Sequence, residues 1–482
     1  MDKIMHMRGF LTCSPGLSPL AARSVGVACA AAAALAPVLP APAANAVPAG
    51  PAVRAHSGPA APAVTAEPGS TRSLPLVPLT RERVVGVAPQ QGLRRTGLDR
   101  FALVGVVWDD PDAELHGRVQ VRTRSAATGE WSGWQDVETH NADHGADPGA
   151  AERSSRRGRG ATAPLWVGDS DGVDVRVRAD AAGAGDGRDT RGGAARPALP
   201  AGLRLELVDP GDETGQDADE ALPEDVPADE PRTALDTEAA IAASAANADI
   251  TGFGATAIPE LDRSATEREL TLLQGPARAK PYIGPRPRIV TRRGWGADES
   301  LREHGFVYTK KVKAAFVHHT ASGNRYTCAQ APSVVRSVYR YHVRSMGWRD
   351  IGYNFLVDKC GNIYEGRAGG AAKAVLGAHT LGFNSNSMGI AVIGSFGASK
   401  PPAAAVKAVA RLTAWKLGLY GVNPRGKTYL TSGGGNRYPK GKSVRLNTIS
   451  GHRDGFATEC PGKRLYAKLG TARTSAARYQ GR

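Results

Sequence analysis

Cysteine is scarce: five residues in 482, too few for a dense disulfide scaffold. Neither a G-X-Y period nor a heptad repeat runs through the chain, which excludes a collagen-like or coiled-coil molecule. Beyond the first 46 residues no apolar run is long enough to cross a bilayer, so stable membrane insertion is not expected. Acid is short in one region: residues 286–482 hold only eight of the 46 Asp and Glu. What is abundant is glycine (58) and proline (33), and stretches so rich in both read as linker between packed units. At roughly 150 residues per domain the length allows about three units, enough for a real core.

The first 46 residues combine a basic start, a short apolar run broken by Pro37 and Pro40, and small residues up to Ala46. This is the pattern of a secretory signal cleaved after Ala46. Cys29 raises a lipoprotein reading, but Gly26-Val27-Ala28 lack the leucine that leads such a site. Cys13 and Cys29 then leave with the signal, and Cys328, Cys360 and Cys460 remain. The formal net charge of +15 is unevenly spread: acid gathers in 206–238, base in 286–482. A basic C-terminal unit on an exported protein points to anionic wall polymers. Nucleic acid is disfavoured, because no zinc-finger spacing, recognition helix or aromatic-studded basic strand accompanies the charge.

Residues 47–90 read as an Ala/Pro-rich linker and 91–210 as a small all-β domain, a sandwich before a barrel. Val119, Val121 and Thr123 alternate with polar residues, as do Val173, Val175 and Val177. Wall adhesion and simple spacing are both open as its role. Trp131 and Trp134 read as core packing before a sugar-stacking platform. A Gly/Arg-rich insertion spans roughly 141–160. Residues 211–285 read as an acidic, disordered linker with one short helix in LDRSATERELTLLQG.

The unit 286–482 carries the chemistry. Ala314-Ala315-Phe316-Val317 predicts a buried strand delivering His318 and His319 at its end, only one of which faces a given side. Val334, Val335, Val338, Tyr341 and His342 share one helical face, ended by Gly347. Two strands flank a turn at Asp358–Gly361, Gly389–Gly394 is another buried strand, and a helix opens after Pro401-Pro402 and stops at Gly418. Alternating strands and helices give an α/β class: a mixed central β-sheet flanked by helices. His318, His452 and Cys460 are suitable zinc ligands that leave a position for water. The residues alone leave two other readings open, a lone buried thiol and a Cys460–His nucleophile pair.

Five separated motifs carry a resemblance: RRGWGA at 292–297, FVHHTAS at 316–322, GYNFLVDKCGNIYEGR at 352–367, GAHTLGFNSNSMGIAVIGSF at 377–396 and GHRDGFATECPG at 451–462. In that order, over about 180 of the 482 residues, they resemble the peptidoglycan recognition proteins and the zinc-dependent N-acetylmuramoyl-L-alanine amidases that share their fold. The resemblance implies Zn2+ on His318, His452 and Cys460, with His319 facing away in a packing or supporting role. It implies hydrolysis of the amide between N-acetylmuramic acid and L-alanine of peptidoglycan, with Tyr353 and Thr458 beside the scissile carbonyl. Tyr353 is then the candidate for positioning water and moving a proton; Glu459 is expected to point elsewhere. Arg367, His379, Thr380 and Asn384 fall in motifs used around a peptide-binding cleft, Arg367 as partner to a stem-peptide carboxylate. Receptors of the family that lack activity often carry Ser at the position of Cys460, so this chain resembles the catalytic members. Binding of peptidoglycan without turnover is the alternative. Cys328 and Cys360 suit an exported context and are expected to pair, leaving Cys460 free for metal; a disulfide on Cys460 instead would end the zinc reading. A monomer, secreted or associated with the cell wall, is expected.

Overall fold

In a computed structural model, residues 68–79, 88–139, 143–153, 158–180, 198–211, 237–276 and 281–482 are described. The signal region and most of the expected first linker lie outside them. Val64–Arg482 is one unit containing two large sheets with separate strand orders and a small hairpin of Lys427–Thr431 with Ser443–Asn447.

The N-terminal sheet is all antiparallel and has nine strands. Its backbone is the 15-residue strand Leu165–Ala179, whose first part pairs with Phe101–Trp108 and whose second pairs with both Gln90–Arg95 and Gly117–Ser125. A long strand that changes partners bends one sheet around one core, here Val119, Val121, Val173, Val175 and Val177, all at most 1% exposed. The result is a near-barrel of one continuous sheet rather than the sandwich expected. Ser70–Pro75 pairs with Arg204–Asp209, so strand structure reaches into the stretch read as linker.

Trp131 and Trp134 are not core residues. They are half-buried on the sheet's outer face, where the guanidiniums of Arg94 and Arg122 lie over Trp131 and those of Arg122 and Arg176 over Trp134. Both sit beside turn residues on the polar side of the alternation, which is why their size alone misleads.

The second sheet is mixed, with seven strands in the order Ala257–Ile258, Ile289–Val290, Ile363–Glu365, Phe355–Val357, Ser387–Val392, Ala314–His319 and Ile449–Gly451. Helix Ala403–Gly418 and helix Leu469–Gln480 pack with Val317, Val357, Ile390 and Val392 on one face. Helix Ala331–Arg340, continued by a wider turn at Tyr341–Ser345, packs with Leu356, Ala391 and Ile393 on the other. Val334, Val335, Val338 and Tyr341 are fully buried, as their spacing predicts, each valine contributing roughly 1.5–3 kcal/mol. The stretch read as a disordered linker contains helix Glu238–Ala245, helix Arg263–Gln274 and the edge strand of this sheet; only the second helix was expected. The first helix is capped by Thr237 and the second by Asp262, and Asn247 donates to both oxygens of Glu365 at 3.0 and 2.9 Å.

Helix Ala331–Arg340 is shared. Its buried cluster includes Leu103, Val107, Trp166 and Val208 of the near-barrel. Tyr341 donates to the Thr162 carbonyl at 3.1 Å, and Ser345 donates to Glu206 at 2.9 Å.

Candidate metal centre and cleft

Strand Ala314–His319 lies between Ser387–Val392 and Ile449–Gly451, parallel to both. Parallel neighbours end at the same edge, so His318 and the residue following the third strand, His452, arrive side by side. His318 Nδ1 and His452 Nδ1 are 3.1 Å apart. The loop after His452 returns Cys460, whose Sγ is 3.7 Å from His318 Nδ1. Ligand bonds of about 2.0–2.1 Å to nitrogen and 2.3 Å to sulfur, set tetrahedrally, separate donors by about 3.3–3.6 Å, so the three side chains fit zinc. All are at most 1% exposed, and Cys460 is the free thiol among the described cysteines because Cys328 and Cys360 form the expected disulfide.

The environment sets the protonation of each donor. Burial, then the neighbouring histidines, drives His318 well below its ordinary value. Burial lowers His452 to about 3. Both rings are therefore neutral, the ligand form. Burial and the nearby Asp143 push the Cys460 thiol well up. A buried thiolate needs a cation beside it, which is what this donor set supplies a place for.

His379 and Thr380, expected on the substrate side, are fully buried behind His318. His379 Nδ1 is 3.3 Å and Thr380 Oγ1 3.4 Å from His318 Nε2, while Asn384 Oδ1 accepts from the backbone of both. They grip the outer nitrogen of His318 and leave Nδ1 facing the cluster. Tyr353 closes the near side, with its ring 5.5 Å from that of His318. Burial, with Cys460 and Asp143 adding to it, holds its hydroxyl well above the ordinary value, in the donor form. Thr458 accepts from the Cys460 backbone at 3.1 Å. His319 turns away as expected: its Nδ1 accepts from Phe396 and its Nε2 lies 3.7 Å from Glu138. Glu459 is exposed against Arg453 and takes no part.

The cleft also holds residues that sequence reading passed over. The near-barrel insertion 143–153 enters it. His144 Nε2 is 4.0 Å from Cys460 Sγ, and the four donors of His144, His318, His452 and Cys460 all lie within 4.8 Å of one another. Arg367 holds Glu152 through two 2.9 Å bonds. Asn384 donates to the Gly145 carbonyl at 2.9 Å and to Asp147 at 2.6 Å. The signal was present as one histidine and three acids inside a Gly/Ala/Arg-rich insertion, but nothing in that stretch says where it docks.

Buried His and Cys donors at the edge of an α/β sheet, with the Tyr353 ring beside them, form a centre that suits a metal-dependent hydrolase. Residues 308–463 match the family described as N-acetylmuramoyl-L-alanine amidase. Residues 57–200 match one described as Rv3811 N-terminal galactose-binding domain-like. Peptidoglycan-recognition protein SC1a of Drosophila melanogaster is 31% identical over 188 residues, 39% of this chain and 87% of its own length. Protein SC2 of Drosophila simulans is 29% identical over 183 residues, 38% of this chain and 85% of its own. The chain belongs to the peptidoglycan-recognition protein family through its C-terminal domain, and that domain is an amidase domain with a zinc-compatible centre.

Proposed function

We propose that the protein hydrolyses the amide joining N-acetylmuramic acid to L-alanine in peptidoglycan. The observation that carries this is the meeting of His318, His452 and Cys460 in a buried cluster beneath Tyr353. A zinc ion bound there supplies Lewis-acid polarisation of the scissile carbonyl and acidifies water. The chain does the rest. His379 and Thr380 fix the His318 ring so that Nδ1 faces inward. Tyr353 donates to the carbonyl oxygen as negative charge develops on it, and orients the attacking water. Thr458 holds the Cys460 backbone and presents its hydroxyl on the same side. Arg367 and Asn384 offer a cation and an amide to the carboxylates and carbonyls of a stem peptide.

Export to the cell wall completes the reading, supported by the signal-like N-terminus and the basic C-terminal unit, and action as a monomer is proposed with it. The organisation proposed with it is a signal to residue 46, a linker in 47–90 before strand Ser70–Pro75, a β domain to about 210, an acidic linker within 211–285 and a catalytic unit to 482. The test is mass spectrometry of muropeptides incubated with the full chain, with zinc, with chelator, and with zinc restored. Release of free stem peptides that stops with chelator and returns with zinc supports the proposal. Release that survives verified zinc removal, or cleavage at a glycosidic bond, overturns it.

A further inference from the structure

We propose that residues 143–153 are a built-in plug: His144 is a fourth protein ligand that closes the metal centre, and the acids behind it occupy the peptide subsites. The inference rests on the amidase reading above.

The plug reaches the centre from the other domain. His144 is 8% exposed, and its ring centroid lies 4.6 Å from that of His452 and 5.7 Å from that of Tyr353. An amidase of this kind needs a metal position open to water and to the scissile carbonyl. Here a fourth imidazole stands in that position. Asp143 supports it from behind, accepting from His144 Nδ1 at 2.9 Å and leaving Nε2 for the cluster.

The rest of the segment behaves as a bound acidic peptide. Its main chain is read twice: Leu381 donates to the Asp143 carbonyl at 3.1 Å and Asn384 to that of Gly145. Its side chains are read twice more: Asp147 accepts from Gly382 at 2.8 Å and from Asn384, and Glu152 takes the fork of Arg367. Arg367 and Asn384 are the groups expected to bind a stem peptide, and both are engaged by carboxylates of this chain. Substrate and plug cannot share them.

The plug's contacts with the C-terminal domain are polar, whereas among the described residues the hydrophobic packing between the domains is made by helix Ala331–Arg340 and Tyr341 against Leu103, Val107, Trp166 and Val208, none of which belongs to 143–153. The segment can therefore leave while the domains stay docked. The resting chain is then a latent enzyme, opened when its anionic segment is displaced.

The test uses the full chain with cobalt(II) in place of zinc, whose visible absorption reports the number of protein ligands, and azide as a small probe of an open position. Three proteins are compared: wild type, His144→Ala, and Asp147→Ser combined with Glu152→Gln, which keeps every metal ligand. In wild type azide should leave the spectrum unchanged. In His144→Ala it should shift it, and zinc should dissociate tenfold or more faster into a competing chelator. The double variant should respond to azide and release stem peptides tenfold or more faster than wild type. Equal azide responses in wild type and both variants, or a double variant with wild-type rates where wild type does release stem peptides, overturns the plug even if zinc-dependent cleavage is present. Variants that open to azide yet release no stem peptide leave the plug standing and remove the amidase reading. Should His144→Ala fail to fold, the double variant decides alone.

Discussion

At the scale of single residues, the centre separates groups that hold the metal from groups that work beside it. Cys460→Ser should lower zinc affinity by more than about 100-fold, beyond the 10–100-fold typical of losing an outer partner. His379→Ala should fall within that outer-partner range, with zinc content in dialysed protein reading both. Tyr353→Phe keeps the ring and removes the donor. It should lower kcat on the order of 100-fold while KM and zinc content stay near wild type, the signature of an interaction made as charge develops. Away from the cleft, Glu365 is 2% exposed, and burial raises its carboxyl to about 7 from an ordinary 4.5 despite the Asn247 bonds. Its folded form keeps a proton that the unfolded chain releases. Its stabilisation is therefore complete below pH 4.5 and lost as pH rises through 7, on the order of 3 kcal/mol in all. Glu365→Gln should remove that slope from the difference in unfolding free energy between the two proteins, measured by urea titration from pH 4.5 to 8.

At the scale of elements, legibility followed periodicity. The strand at 314–319 was readable because four apolar residues precede two histidines, and helix 331–340 because Val334, Val335 and Val338 repeat at helical spacing. The His318, His452 and Cys460 set emerged from motifs, since 134 residues separate the two histidines and only a parallel pairing makes them neighbours. His379 and Thr380 were located through a cleft motif, but their contact with the outer nitrogen of His318 was not, because sequence shows a motif and not the direction its side chains take. Helix Glu238–Ala245 is largely alanine, with no amphipathic stripe to distinguish it from linker. The disulfide closes 32 residues between the loop after His318 and the hairpin that follows Tyr353. Reducing it should cost about 3–4 kcal/mol by loop entropy. A lower denaturant midpoint for Cys328→Ser/Cys360→Ser, with zinc content kept, checks this.

At the scale of the whole molecule, the pairing least visible in the sequence is between distant segments: Glu152 meets Arg367 across 215 residues, inside an insertion without strand or helix pattern. The same distance hides the shared core. Gly105 has a steric reason for being glycine, because a Cβ there would lie 2.3 Å from the Tyr341 hydroxyl oxygen. Gly105→Val should force that tyrosine from its bond to Thr162 and cost about 1–3 kcal/mol, read as a lower melting temperature with faster tryptic cleavage between the domains. Because one helix is wedged between both sheets, neither half is an interchangeable cassette. A chimera that grafts a relative's amidase domain onto this near-barrel inherits a mismatched seam, and restoring it means transplanting Leu103, Val107, Trp166 and Val208 together with the helix they grip.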